Sequence, residues 1–149
     1  MAGTNALTLN TGGALTTSAT GTLMAGATSL TGSGITLDGT VTATGATTLN
    51  AGAGTIALNA TLTATGQSLT LTGGTVNQGA GGAFTVGALT LNRTAGTYNL
   101  GGQDNSFTSV TTGGVTTGAI SLRNVNMLTT VNAVTSGALT INATAANST

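Results

Sequence analysis

The sequence predicts an all-β fold, a parallel β-solenoid of six to seven turns with about 19–22 residues per turn, filling residues 1–149 as a single domain. Three observations carry this expectation. Leucine, isoleucine and valine alternate with small polar residues at i, i+2, which is the period of a strand with one apolar face. Glycine-led blocks of similar sequence recur at a nearly constant interval. Glycine and asparagine punctuate every block, and no stretch has helical periodicity.

Taken in chain order, the strand signals begin at Leu7/Leu9, which Asn10 closes. A glycine-led block opens at Gly26 and is followed by Ile35/Leu37 and then Val41/Ala43. Its counterpart opens at Gly45 and is followed by Ile56/Leu58 and Leu62/Ala64. Further blocks open at Gly66, with Leu69/Leu71, and at Gly87, with Leu89/Leu91. The four leading glycines are 19, 21 and 21 residues apart. The register blurs over 98–117, where Gly101-Gly-Gln-Asp-Asn105 reads as an irregular corner. It resumes with Ile120/Leu122 after Gly118 and Leu139/Ile141 after Gly137, again 19 apart. Asn10, Asn50, Asn59, Asn92 and Asn142 each follow a strand, as corner residues do.

Stacking successive turns predicts ladders of like residues: Ile35 with Ile56, Leu37 with Leu58, Val41 with Leu62. At the inter-strand spacing of about 4.8 Å, the turns make a rod of roughly 30 Å. The fixed period favours this arrangement over a β-sandwich, whose turn signals need not recur at one interval. A membrane barrel calls for strands of about 9–11 residues and aromatic girdles. This chain has three aromatic residues other than Trp, which it lacks: Phe84, Tyr98 and Phe107.

Composition removes most function classes. Charge is confined to Asp38, Arg93, Asp104 and Arg123, where an ordinary domain has about a quarter of its residues charged. Two arginines thirty positions apart make no phosphate-binding patch, so no nucleic acid is expected as a partner. Without cysteine or histidine there is no disulfide, zinc or redox motif, and no metal or cofactor is expected. With no histidine, lysine or glutamate, and two aspartates sixty-six positions apart, nothing can activate a nucleophile or pair as acid and base. The chain is therefore expected not to be an enzyme. No apolar run reaches the ~18 residues of a spanning helix, so no membrane insertion is expected. A neutral chain with mean hydropathy +0.35 also lacks the signature of disorder. The first residues carry no export signal, which fits either a cytoplasmic protein or, the reading preferred here, a segment cut from a longer secreted chain.

Three features invite a functional reading. The near-duplicates Thr40-Val-Thr-Ala-Thr-Gly45 and Thr61-Leu-Thr-Ala-Thr-Gly66 place Thr40, Thr42, Thr44, Thr61, Thr63 and Thr65 on one outward face as a surface-binding rank. Such flat threonine arrays resemble those of ice-binding β-solenoids. Aligning Gly66 with Gly87 sets Phe84 and Val86 where Thr63 and Thr65 stood, so the rank is expected to end there. The corner at 101–105 faintly matches glycine-rich calcium repeats, but it occurs once, and calcium needs many oxygen ligands. Asp38 and Asp104 read as corner residues bonding their own backbone, and Arg93 and Arg123 as exposed charges. The four Asn-x-Ser/Thr triplets at Asn59, Asn92, Asn142 and Asn147 are expected by chance where threonine is the commonest residue.

The Gly87-Ala-Leu-Thr-Leu-Asn92 pattern, the run 39–54, Asp104-Asn-Ser-Phe-Thr-Ser-Val110 and the run 118–142 together resemble the repeat region of filamentous-haemagglutinin-like bacterial exoproteins. The resemblance covers essentially the whole chain. It lies in the spacing of glycine, leucine and asparagine and transfers no functional residue. It implies a right-handed β-helix, secreted to the bacterial cell surface, that serves as the structural or adhesive rod of an adhesin. The partners expected are further copies of the chain, end to end or side by side, and ligands on host or neighbouring cells. An ice-binding solenoid is the alternative.

Overall fold

Each Leu-x-Leu element extends into a short strand; three strand segments make a coil in coils I–IV, and two in coils VI and VII. The computed structural model describes residues 5–126, 128, 130–132 and 134–144. Coil I holds β1 (Leu7–Asn10), β2 (Ala14–Thr17) and β3 (Thr22–Ala25). Coil II repeats the pattern with β4 (Thr28–Thr31), β5 (Gly34–Leu37) and β6 (Thr40–Ala43). Coil III holds β7 (Thr47–Asn50), β8 (Thr55–Leu58) and the first half of β9 (Leu62–Thr72). Coil IV takes the rest of β9, then β10 (Thr75–Gln78) and the first half of β11 (Phe84–Leu91). Coil V runs from the rest of β11 through β12 (Thr97–Asn105) to Ser106. β13 (Ser109–Thr111) and β14 (Thr116–Asn124) belong to coil VI, β15 (Thr130–Asn132) and β16 (Thr135–Ala143) to coil VII.

All strand pairings are parallel and join successive coils, so the chain is an all-β solenoid of about seven turns. The first face stacks β1, β4, β7, β9, β11, β13 and β15 in that order. The second is the seven-stranded sheet from β2 through β5, β8, β10, β12 and β14 to β16. The third runs from β3 to β6 and on to the first halves of β9 and β11. Among the described residues there is no helix.

The core consists of columns that run along the axis. On the second face Leu15, Ile35, Ile56, Val76, Tyr98, Ile120 and Leu139 lie in register, one per coil. On the first face Leu9, Leu30, Leu49, Leu71 and Leu91 do the same. The predicted ladders Ile35/Ile56, Leu37/Leu58 and Val41/Leu62 are all present. Inside the stack these side chains are essentially inaccessible to water. Each contributes about 1.5–3 kcal/mol of apolar burial, enough to hold the register wherever one face is buried.

The third face departs from the expected alignment. Phe84 pairs with Leu62, Thr85 with Thr63 and Val86 with Ala64. Phe84 and Val86 therefore point inward and are buried, not outward beside the threonines. Gly87 does stack on Gly66, as the repeat predicts: a Cβ on Gly87 would lie 2.8 Å from the Gly66 carbonyl group. The discrepancy lies in the corner around these glycines. From inward Ala64 to inward Leu69 the chain takes five steps, and from Val86 to Leu89 only three. Thr65 and Gln67 are the two extra residues, and Gly66 turns between them in the left-handed conformation at φ 72°. The physical cause is burial, because a one-residue slip would move Phe84 and Val86 from core to solvent.

The irregular corner of coil V is where the sequence placed it. Leu100 pairs with Leu122 and Asn105 with Asn124, so 101–104 loops out of the second face. Asn105 closes the loop by turning inward, fully buried. Its Oδ1 accepts from Phe84 N (3.2 Å) and Gln78 Nε2 (2.6 Å), and its Nδ2 donates to Leu100 O (2.8 Å) and Arg123 O (3.1 Å). One coil on, buried Asn124 repeats the device, accepting from Phe107 N (3.0 Å) and donating to Phe107 O (2.9 Å). The rings these asparagines position, Phe84 and Phe107, stack with centroids 6.0 Å apart.

Candidate functional site

The predicted rank divides between two environments. Thr42 and Thr63 are paired on the third face, and Thr40 and Thr61 stand one strand position pair before them, with Val41 N donating to Thr61 O. Thr44 and Thr65 lie outside the strand ladder of this face, in the corners beside Gly45 and Gly66, and are exposed. Because Phe84 faces inward, the rank does not end where the sequence alignment ended it. Thr63 pairs with Thr85, and Thr85 bridges to Ser106. Its interruption comes at the opposite end: Thr42 pairs with Met24, an outward side chain that is 48% exposed.

A longer rank lies on the first face, where sequence reasoning did not look. Thr8, Ser29, Thr48, Thr70, Thr90 and Thr111 form one outward column, each in register with the next, and Asn132 ends it. Two residues further along the strands, Asn10, Thr31, Asn50 and Thr72 form a second column. The two columns are about 6.6 Å apart along the strand, and their members about 4.8 Å apart along the axis. The signal was present in the repeated Leu-Thr-Leu-Asn and Leu-Thr-Leu-Thr runs at 7–10, 69–72 and 89–92. The leucines mark the core; the residues between and after them are the wall.

Beneath the same face, Thr28 and Thr47 point the other way. They occupy the inward column of Leu7, Leu69, Leu89 and Val110, are buried, and their hydroxyls have no hydrogen-bond partner.

The charged residues form contacts between coils. Arg123 Nη2 lies 2.7 Å from Asp104 Oδ1, tying the looped corner of coil V to the strand above it. Both partners are substantially exposed, so the pair contributes at most about 1 kcal/mol. Asn59 Nδ2 donates to Asp38 Oδ1 at 2.8 Å across one coil, and Asn99 Nδ2 to Asn77 Oδ1 at 2.8 Å. Asp38 and Asp104 thus bond neighbouring coils, where the sequence suggested their own backbone. Tyr98 is buried and donates to Leu71 O at 3.2 Å. Burial pushes its phenol up to about 12, with Arg93 acting in the opposite sense.

Among the described residues there is no cavity and no group of three or more metal-capable side chains. The corner at 101–105 holds one aspartate, committed to Arg123, and an asparagine committed to the core. Of the Asn-x-Ser/Thr triplets, Asn59, Asn92 and Asn142 are exposed, and Asn147 lies outside the described residues. Comparison with protein families, curated proteins and solved structures finds no match for this chain.

Proposed function

We propose that this chain is a structural and adhesive rod of a bacterial surface adhesin, exported to the cell exterior and resembling the shaft of filamentous-haemagglutinin-like exoproteins. One observation supports this reading above the others: the coils stack without interruption, with a dry core inside and a wall of threonine, serine and asparagine outside. Such a module has length and stiffness as its main properties. Each coil rests only on its neighbours, so length scales with coil number and folding can proceed coil by coil as the chain emerges. Its wall offers hydroxyls and amides for contact with host or neighbouring-cell surfaces. Antibody raised against the chain should label intact source cells; labelling that appears only after permeabilisation would refute the surface assignment.

A second reading, ice binding, is favoured by the first-face rank from Thr8 to Thr111, which is longer than the third-face rank that first suggested it. Threonine presents a hydroxyl and a methyl group together, and a parallel sheet repeats that pair on a regular two-dimensional grid. This reading predicts thermal hysteresis that Thr48→Tyr or Thr70→Tyr abolishes while Thr42→Tyr or Thr63→Tyr has a smaller effect. Absence of hysteresis in the unaltered protein would dismiss it.

A further inference from the structure

We propose that Asp38–Gly39 is a latent covalent modification site. The pair isomerises to an isoaspartyl linkage while the chain is unfolded, and the stacked coils hold it unreactive, with Thr17 as its guard. This chemistry depends on neither the adhesin reading nor the ice reading.

Two aspartates occur in the chain; Asp38 precedes a glycine, Asp104 does not, and no asparagine does. Glycine matters because it has no Cβ, so its nitrogen is unhindered and its backbone turns freely towards the preceding side chain. In an open chain the Gly39 nitrogen attacks Cγ of the protonated Asp38 carboxyl group. The N–Cγ bond forms, the bond from Cγ to the hydroxyl oxygen breaks, and that hydroxyl leaves as water with the proton from nitrogen. The five-membered succinimide so made takes water back at one of its two carbonyl groups. Opening at Cγ restores aspartate. Opening at the Asp38 main-chain carbonyl leaves the chain running through Cγ, which is isoaspartate. Composition is unchanged, the backbone is one methylene longer, and neither oxidant nor cofactor takes part.

The fold itself creates this reactive pair. Gly39 is buried in the corner between β5 and β6, and a Cβ there would run into the carbonyl oxygens of Ser18 and Gly21 in coil I. Asp38 beside it accepts from Asn59 Nδ2 of coil III at 2.8 Å. The corner thus needs glycine for close approach to the coil on one side and an acceptor for the coil on the other.

The same contacts silence the pair. Gly39 N–H donates to Thr17 Oγ1 at 2.9 Å, so the attacking nitrogen is held by its proton. The Asp38 carboxylate is anchored on Asn59, and Gly39 is confined by Ser18 and Gly21. Thr17 stands in register with Leu37, and Leu37 with Leu58, so a threonine occupies a position that is leucine in the next two coils. One coil on, Ala60 N donates to the main-chain carbonyl of Leu37; at Gly39 the side-chain hydroxyl of Thr17 takes that role. Asp104 differs in both respects, since Asn105 follows it and Arg123 pairs with it. An isoaspartate at position 38 would lengthen a corner that is already in contact with coil I. Isomerisation therefore marks chains that stayed unfolded before their coils stacked.

An endoproteinase that cuts before aspartate but not before isoaspartate reads the change, with cutting at Asp104 as the internal reference. The protein is aged at neutral pH in native buffer or in concentrated urea, then fully denatured and digested. Cutting at Asp38 should be lost at least about tenfold faster in urea, because in buffer only the transiently open fraction reacts. Thr17→Val keeps the β-branched shape but cannot accept the Gly39 N–H. It should age about fivefold faster than the unaltered protein in buffer, the weight of one ordinary hydrogen bond, and at the same rate in urea. Leu15→Ala loosens the packing of coil I without touching that bond. Compared at equal stability, with a little urea added to the more stable variant, Thr17→Val should age faster than Leu15→Ala. Equal rates in buffer and urea would overturn the proposal, as would cutting at Asp38 that persists in urea. A Thr17→Val protein that ages no faster than Leu15→Ala would overturn the role given to Thr17.

Discussion

Replacing Thr47 by valine should stabilise this protein, and the size of the gain tests how the inner column is built. Thr47 is completely buried and Thr28, its ladder partner one coil earlier, is 2% exposed. Above them the column continues with Leu69 and Leu89. Neither hydroxyl has a hydrogen-bond partner. A buried hydroxyl without a partner costs about 1–3 kcal/mol relative to one left in water. Valine has nearly the same shape, the same β-branching and no polar atom to desolvate. Thr47→Val is therefore expected to add about 1–2 kcal/mol, and Thr28→Val a similar amount. For a chain of this size each kcal/mol corresponds to roughly 3 °C in Tm. Urea unfolding followed by far-UV circular dichroism measures it, and the midpoint should rise with the m-value unchanged. Thr47→Ala, which removes the hydroxyl but leaves a void, separates the polar contribution from packing. A loss of stability in Thr47→Val would refute the reasoning, because it would mean that the hydroxyl is satisfied. The double variant adds a second check: gains that sum indicate two independent hydroxyls, and a large coupling indicates that they bond to one another.

Three further outcomes follow from the packing. Phe84→Ala should lose about 3–5 kcal/mol in thermal or urea unfolding, as a buried phenylalanine does, whereas an outward Phe84 would lose almost nothing. Asn105→Leu keeps the side chain's approximate volume but removes the side-chain partner of Phe84 N, Leu100 O and Arg123 O, so a loss of about 3 kcal/mol is expected in the same assay. For Tyr98, the unfolded phenol loses its proton at 10.0, and the folded one holds it to about 12. The folded state thus binds the extra proton, stability falls as pH rises from 10 towards 12, and below 10 this group adds no pH dependence. Tyr98→Phe should remove that decline; an unchanged slope in the variant would assign it elsewhere.

Much of this architecture was legible because it is written in two periods. Leu-x-Leu alternation marks which residues enter the core, and the interval of about twenty marks how often the chain comes back. Ile35 over Ile56 and Leu37 over Leu58 follow from those two facts alone. The corner at 101–104 was legible for the opposite reason, since the pattern breaks there. The first-face rank was missed because its threonines sit between the core leucines and read as mere spacers. Asn105 and Asn124 were missed because asparagine inside a solenoid looks, in sequence, like asparagine at a corner.

What the sequence by itself determined was the coil: which residues are apolar, how far apart the glycines stand, and how little charge the wall carries. What only the tertiary structure decided was the phase of each face relative to the next. The glycines at 66 and 87 do stack, but the chain enters and leaves those corners over different numbers of residues. Whether Thr63 lies beside Phe84 or Thr85 depends on that count. Corner length is set by what the flanking strands gain by burial, and burial is a property of the stack: Phe84 finds its place against Leu62 and Phe107 from neighbouring coils, contacts that no local stretch of sequence contains.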